Sequence, residues 1–257
     1  MKATLTFCSV IFPGPQAETD NLLLAESIRA FGGAFSDAPV WFFQPDYGKP
    51  LTDAGQKRLA DLDVRMVPFA AEIEKLRFVF MGQLAGLAQA EARLAGETDI
   101  LAWLDANTLL VNEPKEFILP EGKALGYRPV HHLLLGSRFD QPLDPFWAQV
   151  YQSCQVPPER VFPMQPVVED LQMRPYFNAG ILVARPERHL FRDWYETFLS
   201  LYQDPVFKAF YAQDQRYVIF LHQAVLSGVV LRSFEQADLL ELPDTYNYPV
   251  HLFEQDT

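Results

Sequence analysis

The chain has 257 residues, and 49% of them are hydrophobic, which is enough for a sizeable core. Its 33 acidic residues outnumber its 21 basic ones, and the net charge of −12 argues against an extended nucleic-acid or anionic-membrane interface. No apolar run approaches the length of a membrane-spanning helix or of a signal segment. We therefore expect a cytoplasmic protein without a membrane span, in which Cys8 and Cys154 are buried thiols.

Strand-like and helix-like segments alternate along the first half of the chain. Strands are predicted at residues 4–12, 40–43, 64–68 and 100–104. Helices are predicted at residues 20–31, at 52–62 with Thr52 as the cap, and at 73–94 as one long helix. Strands that are separated by helices predict a parallel, doubly wound sheet.

The second half is more mixed. Strands are predicted at residues 124–130 and 181–184, and helices at residues 145–154, near 187–202 and at 213–226. No linker, low-complexity segment or internal repeat divides the chain, so we predict a single domain over residues 1–257.

Asp105-Ala106-Asn107 follows the apolar run Ile100–Leu104, which is typical of a strand buried on both faces. A carboxylate there is costly unless something uses it, and the ends of such strands are where open α/β sheets bind ligands. On an extended segment, Asp105 and Asn107 would point to the same side and present two oxygens to one cation. The alternative interpretation is a plain turn that ends the strand.

A second polar segment, Phe177-Asn178-Ala179-Gly180, precedes an apolar run. The Asn178 amide has both donors and an acceptor, while Ala179 and Gly180 allow a ligand to approach the backbone closely. The alternative is a loop-to-strand junction in which Asn and Gly supply the turn geometry.

These two segments resemble the DxD and FNAG motifs of nucleotide-sugar glycosyltransferases of the GT-A fold, in the same order and about seventy residues apart. Two further segments resemble later motifs of this group. The family's DQ-A-L helix is similar to His222–Ser227, although Asp214-Gln215 is an alternative match, and its LP-x-x-YN segment is similar to Leu242–Asn247. The resemblance covers residues 75 to 250 at the level of short motifs.

The resemblance implies an α/β fold with a GT-A-like, Rossmann-like, mostly parallel sheet flanked by helices. It implies a nucleotide-binding half over residues 1–112 and an acceptor-side half over residues 113–257. The implied activity is transfer of a sugar from a nucleotide diphosphate sugar to an unknown acceptor. The implied catalytic residues are Asp105 and Asn178; the implied donor-binding residues are Lys75, Asp105, Asn107, Ala179 and Gly180.

The resemblance also implies a Mn²⁺ or Mg²⁺ cofactor held by Asp105, Asn107 and His251. Asn107 replaces the second aspartate of the motif and removes one negative charge, so we expect the chain alone to bind the metal weakly. A nucleotide diphosphate is anionic and needs local compensation. That charge would come from the cation or from basic residues, namely Lys75, Arg77, Arg128 or Arg138.

Two other functions remain open. A non-catalytic GT-A-like binding or scaffold protein is favoured by Asn107 and by the lack of the family's C-terminal His-x-Gly-x-x-Lys-like segment after Asn247. A nucleotidyltransferase is disfavoured, because Phe12–Pro15 stands after the first strand where a glycine-rich basic loop is expected.

Overall fold

The computed structural model describes residues 3–48, 51–76 and 78–253, without the side chains of residues 73 and 76. The chain forms two compact units: unit 1 comprises residues 1–121 and 183–195, and unit 2 comprises residues 122–182 and 196–257. Within the described residues, no helix is both long and apolar enough to cross a bilayer. The nucleotide-binding and acceptor-side halves expected from the sequence stay a prediction, since compactness alone assigns neither role.

Unit 1 begins with four parallel strands in the order β3-β2-β1-β4. The strands are β1 (Leu5–Val10), β2 (Val40–Pro45), β3 (Val64–Phe69) and β4 (Ile100–Leu104). The connecting helices are α1 (Pro15–Phe31), α2 (Asp53–Asp61), α3 (Ile73–Leu76) and α4 (Met81–Leu94). Every residue of β1 and β4 is buried, as their unbroken apolar sequences predict for strands covered on both faces.

Local sequence explains where the helices of unit 1 begin. Helix α1 starts five residues earlier than predicted, because Gly14 adopts φ 142° and Pro15 takes the first helical position, where its missing N–H costs nothing. Helix α2 begins after Thr52, whose hydroxyl accepts the backbone N–H of Gly55 at 3.0 Å. The predicted Thr52 cap is therefore confirmed.

The single long helix predicted over residues 73–94 is wrong. The structure has α3 and α4 instead, and Phe80 between them takes a left-handed conformation with φ 65°. A bulky residue rarely adopts such angles, and helical periodicity in the sequence does not reveal them. The break places Phe78 and Phe80 in the wall of a cavity described below.

Unit 2 contains the strand order β6-β5-β7, with β5 and β7 parallel. The remaining elements in chain order are β5 (Leu125–Pro129), α5 (Pro145–Cys154), β6 (Phe177–Ala184), α6 (Leu190–Leu201), α7 (Pro205–Gln213), α8 (Arg216–Ser233) and β7 (Leu239–Glu241). Residues 183–184 of β6 and residues 190–195 of α6 belong to unit 1. The predicted mixed α/β class with helices flanking a mostly parallel sheet is confirmed.

Strand β6 begins four residues earlier than predicted, so the FNAG segment lies within the strand and is not a loop before it. Its asparagine and glycine disfavour strand by propensity, but backbone pairing and burial of Phe177 and Ala179 outweigh that preference. Helix α7 and the three-residue strand β7 were not predicted, because neither carries a long periodic pattern.

Candidate functional site

Asp105 ends β4 and starts a turn, in which the N–H of Thr108 donates to the carbonyl of Asp105 at 2.9 Å. The Asp105 carboxylate accepts the backbone N–H groups of Ala106 and Asn107. The segment is thus a turn, and the expected extended conformation of Asp105-Ala106-Asn107 is wrong. Asp105 is half-buried and Asn107 is exposed. Burial raises the pKa of Asp105, against the two N–H donors, and the nearby charge of Asp20 raises it further.

A cavity of about 500 Å³, here called the acidic cavity, lies at this end of β4. Asp105, Ala106 and Asn107 all line it, so the turn still presents the motif to one space. The β1–α1 connection and the first turns of α1 also line it, including Gly14, Gln16, Asp20 and Asn21. All of its lining residues belong to unit 1.

A second cavity of about 500 Å³, here called the aromatic cavity, adjoins the first and also lies within unit 1. The two cavities share Phe12, Pro13, Gln83 and Asp105 as walls. Its other lining residues are Tyr47, Phe78, Val79, Phe80 and Gly82. Asp105 therefore lines both cavities, of which only the first also contains Asp20 and Asn21.

Lys75, Arg128 and Arg138, the expected basic residues that the structure describes, line neither cavity. None of the described residues that line the two cavities is Lys, Arg or His. Lys75 pairs with Glu72 at 2.7 Å, and Arg138 pairs with Asp140 at 2.8 Å. Arg77 is outside the described residues. The cavity walls described here therefore supply negative charge from Asp20 and Asp105 without a basic counterpart.

Arg128, another expected basic residue, is 4% exposed in unit 2. Its guanidinium pairs with Glu241 at 3.3 Å and with Asp244 at 3.0 Å, and donates to the carbonyl of Leu242 at 2.5 Å. It therefore anchors the Leu242–Asn247 segment to β5, and has a positioning role that its charge alone did not reveal.

One buried polar atom in the acidic cavity wall has no partner. Asn21 is fully buried, and its Nδ2 donates to the carbonyl of Ala17 at 2.9 Å. No donor reaches its Oδ1 from any part of the chain that the structure describes. Asp20, the preceding residue, accepts a hydrogen bond from Gln16 Nε2 at 2.7 Å. No sequence motif pointed to Asp20 or Asn21.

In unit 2, the start of β6 gathers amide groups. The strand alternates, so Phe177 and Ala179 are buried while Asn178 and Gly180 share the other, partly open face. Asn178 Oδ1 accepts the N–H of Gly180 at 2.8 Å. A Cβ on Gly180 would lie 3.1 Å from Asn178 Oδ1 and 3.5 Å from Asn247 Oδ1. The FNAG and LP-x-x-YN segments therefore meet here.

Helix α8 supports the same strand. Gln223 Oε1 accepts the N–H of Ala179 at 3.0 Å, and Ser227 Oγ accepts the N–H of Phe177 at 3.2 Å. Asp214, in the alternative match, instead pairs with Arg216 at 2.6 Å. Of the two candidate DQ-like segments, His222–Ser227 is the one that contacts the FNAG segment.

The expected metal ligand His251 is exposed, and its ring centre lies 6.4 Å from that of His131. His131 Nε2 in turn hydrogen-bonds the carbonyl of Asn247 at 3.0 Å. Among the described residues, no group of three or more His, Cys, Asp or Glu side chains is arranged to hold a metal ion. A cation bound by the described residues would therefore need amide oxygens, or oxygens of a bound ligand, to complete its coordination.

Solved structures of similar fold are glycosyltransferases. The yeast mannosyltransferase Ktr4p in complex with GDP is 9% identical at a TM-score of 0.50, and the match covers 93% of this chain and 69% of that one. The bifunctional glycosyltransferase WbbM is 11% identical at a TM-score of 0.50, over 95% of this chain and 39% of that one. Mouse xyloside xylosyltransferase 1 is 9% identical at a TM-score of 0.49, over 98% and 91%.

A comparison with curated protein sequences finds no match. The sequence model of the Rhodobacterales glycosyltransferase domain matches residues 8–235, which is most of the chain and includes the Asp105 turn, the FNAG strand and helix α8. The chain belongs to the Rhodobacterales glycosyltransferase domain family.

Proposed function

We propose that the chain transfers a sugar from a nucleotide diphosphate sugar to an acceptor, and that the donor nucleotide binds in the two adjoining cavities of unit 1. The observation that carries this proposal is Asp105, which ends a buried strand and forms a wall of both cavities. In parallel α/β sheets, ligands bind at this end of the strands.

The two cavities offer the two kinds of contact that a nucleotide needs. Tyr47, Phe78 and Phe80 in the aromatic cavity can stack on the base, a contact worth about 1–3 kcal/mol per base in other proteins. The diphosphate would then lie toward Asp105 and the acidic cavity. The similar fold of yeast Ktr4p, whose structure contains GDP, supports a nucleotide as the ligand.

The charged residues that the structure describes in these walls are acidic and would repel a diphosphate. A Mn²⁺ or Mg²⁺ ion, when bound, would stabilise the negative charge that develops on the departing nucleotide. Asp105, Asn107 and His251 remain the ligands proposed from the family resemblance. Asp105 has the firmest support, because it is a half-buried carboxylate that faces both cavities.

The chain's other proposed residues act on the sugar and the phosphates. Asn178 presents an amide on the partly open face of β6 and would orient the sugar. Ala179 and Gly180 are small and would let the donor approach the backbone of this strand closely. Gln223 positions this segment through the N–H of Ala179. Lys75 would bind a phosphate only after leaving Glu72.

The test is turnover of a panel of nucleotide sugars, measured as release of nucleoside diphosphate with and without Mn²⁺. We expect Asp105→Asn to lower turnover by at least about 100-fold while the protein stays folded. Asp61→Asn, an exposed change of the same charge at the end of α2, is the matched control. Wild-type protein that turns over no donor in the panel would instead favour a non-catalytic binding or scaffold role.

A further inference from the structure

The unpartnered oxygen of Asn21 is the feature of unit 1 that the proposed function leaves unexplained. Its side chain is fully buried in the wall of the acidic cavity, and only its Nδ2 is bonded. A buried polar atom without a partner costs about 1–3 kcal/mol. A structural residue at this position would be expected to be apolar, whereas a ligand-binding residue would keep the oxygen.

The charges beside Asn21 indicate what kind of ligand this is. Asp20 lines the same cavity as Asn21 and Asp105. Gln16 Nε2 donates to one Asp20 oxygen at 2.7 Å. Two carboxylates that face one space repel each other unless a positive charge lies between them.

Three kinds of ligand can be compared on this basis. A neutral sugar or base would donate to Asn21 Oδ1 but would leave the two carboxylates uncompensated. A diphosphate alone would add to the repulsion. A divalent cation takes oxygen ligands, and Mg²⁺-like ions commonly use one or two carboxylates together with substrate phosphates. Only the cation suits all three side chains.

We propose that Asp20 and Asn21 of α1, together with Asp105 of the β4 turn, hold a divalent cation in the acidic cavity. In this arrangement Asp20 supplies the second carboxylate that the Asp105–Asn107 pair lacks. The site rests on the proposed function only in that a nucleoside diphosphate would complete the coordination. Binding of the cation is therefore measured separately from sugar transfer.

The test is a Mn²⁺ titration followed by the electron paramagnetic resonance signal of free Mn²⁺, alone and with UDP or GDP. We expect weak binding of Mn²⁺ alone and tighter binding with one of the diphosphates. Asp20→Asn and Asn21→Leu should each weaken Mn²⁺ binding by about tenfold or more. Asp61→Asn, which makes the same charge change at an exposed position, should leave it unchanged.

Folding is checked for each variant by circular dichroism and thermal unfolding. Asn21→Leu removes the unpartnered oxygen, which favours the folded state, together with the Nδ2 bond to Ala17, which opposes it, so the net change in stability should be small. Asp20 is only partly buried, and Asp20→Asn decides the matter if Asn21→Leu does not fold.

Wild-type Mn²⁺ affinity in a folded Asp20→Asn variant would overturn the proposed site, as would a wild-type protein that binds no Mn²⁺ with either diphosphate. Turnover of nucleotide sugars without any Mn²⁺ binding would overturn this site and leave the proposed function standing. Mn²⁺ binding that depends on Asp20, in a protein without turnover, would support the site and contradict the proposed function.

Discussion

The end of β4 and the start of β6 both place polar side chains beside a buried apolar run, but with different chemistry. At the end of β4, Asp105 is a half-buried carboxylate with a raised pKa, and it faces two cavities. At the start of β6, Asn178 is a neutral amide whose oxygen already accepts the N–H of Gly180. At the end of β4, the described charged residues Asp20 and Asp105 are both acidic. At the start of β6, the Asn178 amide is oriented by its hydrogen bond with Gly180.

Under the proposed function, the two regions would have separate roles. Unbalanced charge is costly in the folded chain and is repaid when a cation or a cation-bound phosphate arrives. An oriented amide costs little and provides directional hydrogen bonds of the kind that sugar hydroxyls accept and donate. We therefore expect substitutions near Asp105 to change binding of the donor and metal, and substitutions near Asn178 to change the transfer step.

Asn178→Ala is the strongest test of the amide side. We expect the rate of sugar transfer to fall by about 100-fold, because an oriented donor or acceptor near the reacting sugar is lost. Affinity for the nucleoside diphosphate, measured by calorimetry, should stay unchanged. Asn112→Ala, at an exposed position, is the control. A parallel loss of nucleotide affinity would erase the distinction between the two regions.

Glu91 is a buried carboxylate of unit 1 that lines neither the acidic nor the aromatic cavity. It is 1% exposed and accepts the N–H groups of Phe191 and Arg192 at 3.1 and 2.9 Å. Burial raises its pKa from 4.5 to about 7, although these two N–H donors act in the opposite direction. The folded state therefore binds more protons than the unfolded state between these two pH values.

Stability from this group is present below pH 4.5 and is lost as the pH rises toward about 7. We expect a loss on the order of 2 kcal/mol across that window, seen in urea unfolding at several pH values. Glu91→Gln should flatten this dependence, and exposed Glu97→Gln should not. An unchanged slope in Glu91→Gln would show that other groups set the pH dependence.

Asn107→Asp adds a carboxylate to the turn at the end of β4. It restores the second carboxylate of the DxD pattern at an exposed position that lines the acidic cavity. We expect Mn²⁺ affinity to rise by about tenfold, which is about 1.4 kcal/mol. A Mn²⁺ titration of both proteins measures it, and an unchanged affinity would mean that position 107 does not face the ion.

Gly180→Ala should give the smallest effect. The new Cβ would lie 3.1 Å from Asn178 Oδ1, so the Asn178 amide must shift by a few tenths of an ångström. We expect a loss of transfer rate of about threefold, with less than about 1 kcal/mol of stability lost. The double variant Asn178→Ala/Gly180→Ala should transfer no more slowly than Asn178→Ala alone. Additive losses would place the effect of Gly180 outside the Asn178 amide.

Sequence patterns were sufficient for the repeated parts of the fold. Unbroken apolar runs located β1, β2 and β4, and the Thr52 cap located the start of α2. They failed where backbone conformation is set by tertiary packing, as at Phe80, whose left-handed φ of 65° breaks a helix that periodicity predicts as continuous. The aromatic cavity depends on that break and was therefore not predictable.

The candidate site was predictable only where residues form motifs. Asp105 and Asn178 were identified from their segments, and the contact between Gln223 and Ala179 fits the DQ-like helix. Asp20 and Asn21 carry no motif, and a burial pattern in a helix does not show which polar atom lacks a partner. Arg128 was expected near a phosphate but lies buried against Glu241 and Asp244, because charge alone does not tell an anchor from a ligand-binding residue.

Thermal unfolding with a panel of nucleotide sugars, with and without Mn²⁺, measures whether the cavities of unit 1 bind a nucleotide-sugar donor together with a cation. A ligand that binds only the folded state stabilises it, by about 2.7 kcal/mol when the ligand is present at 100 times its Kd. The melting temperature of the protein must therefore rise. We predict a rise for at least one donor that requires Mn²⁺ and disappears in Asp105→Asn. Absence of a rise with every donor and Mn²⁺, or an equal rise in Asp105→Asn, would show that Asp105 and the cavities it lines do not bind the donor.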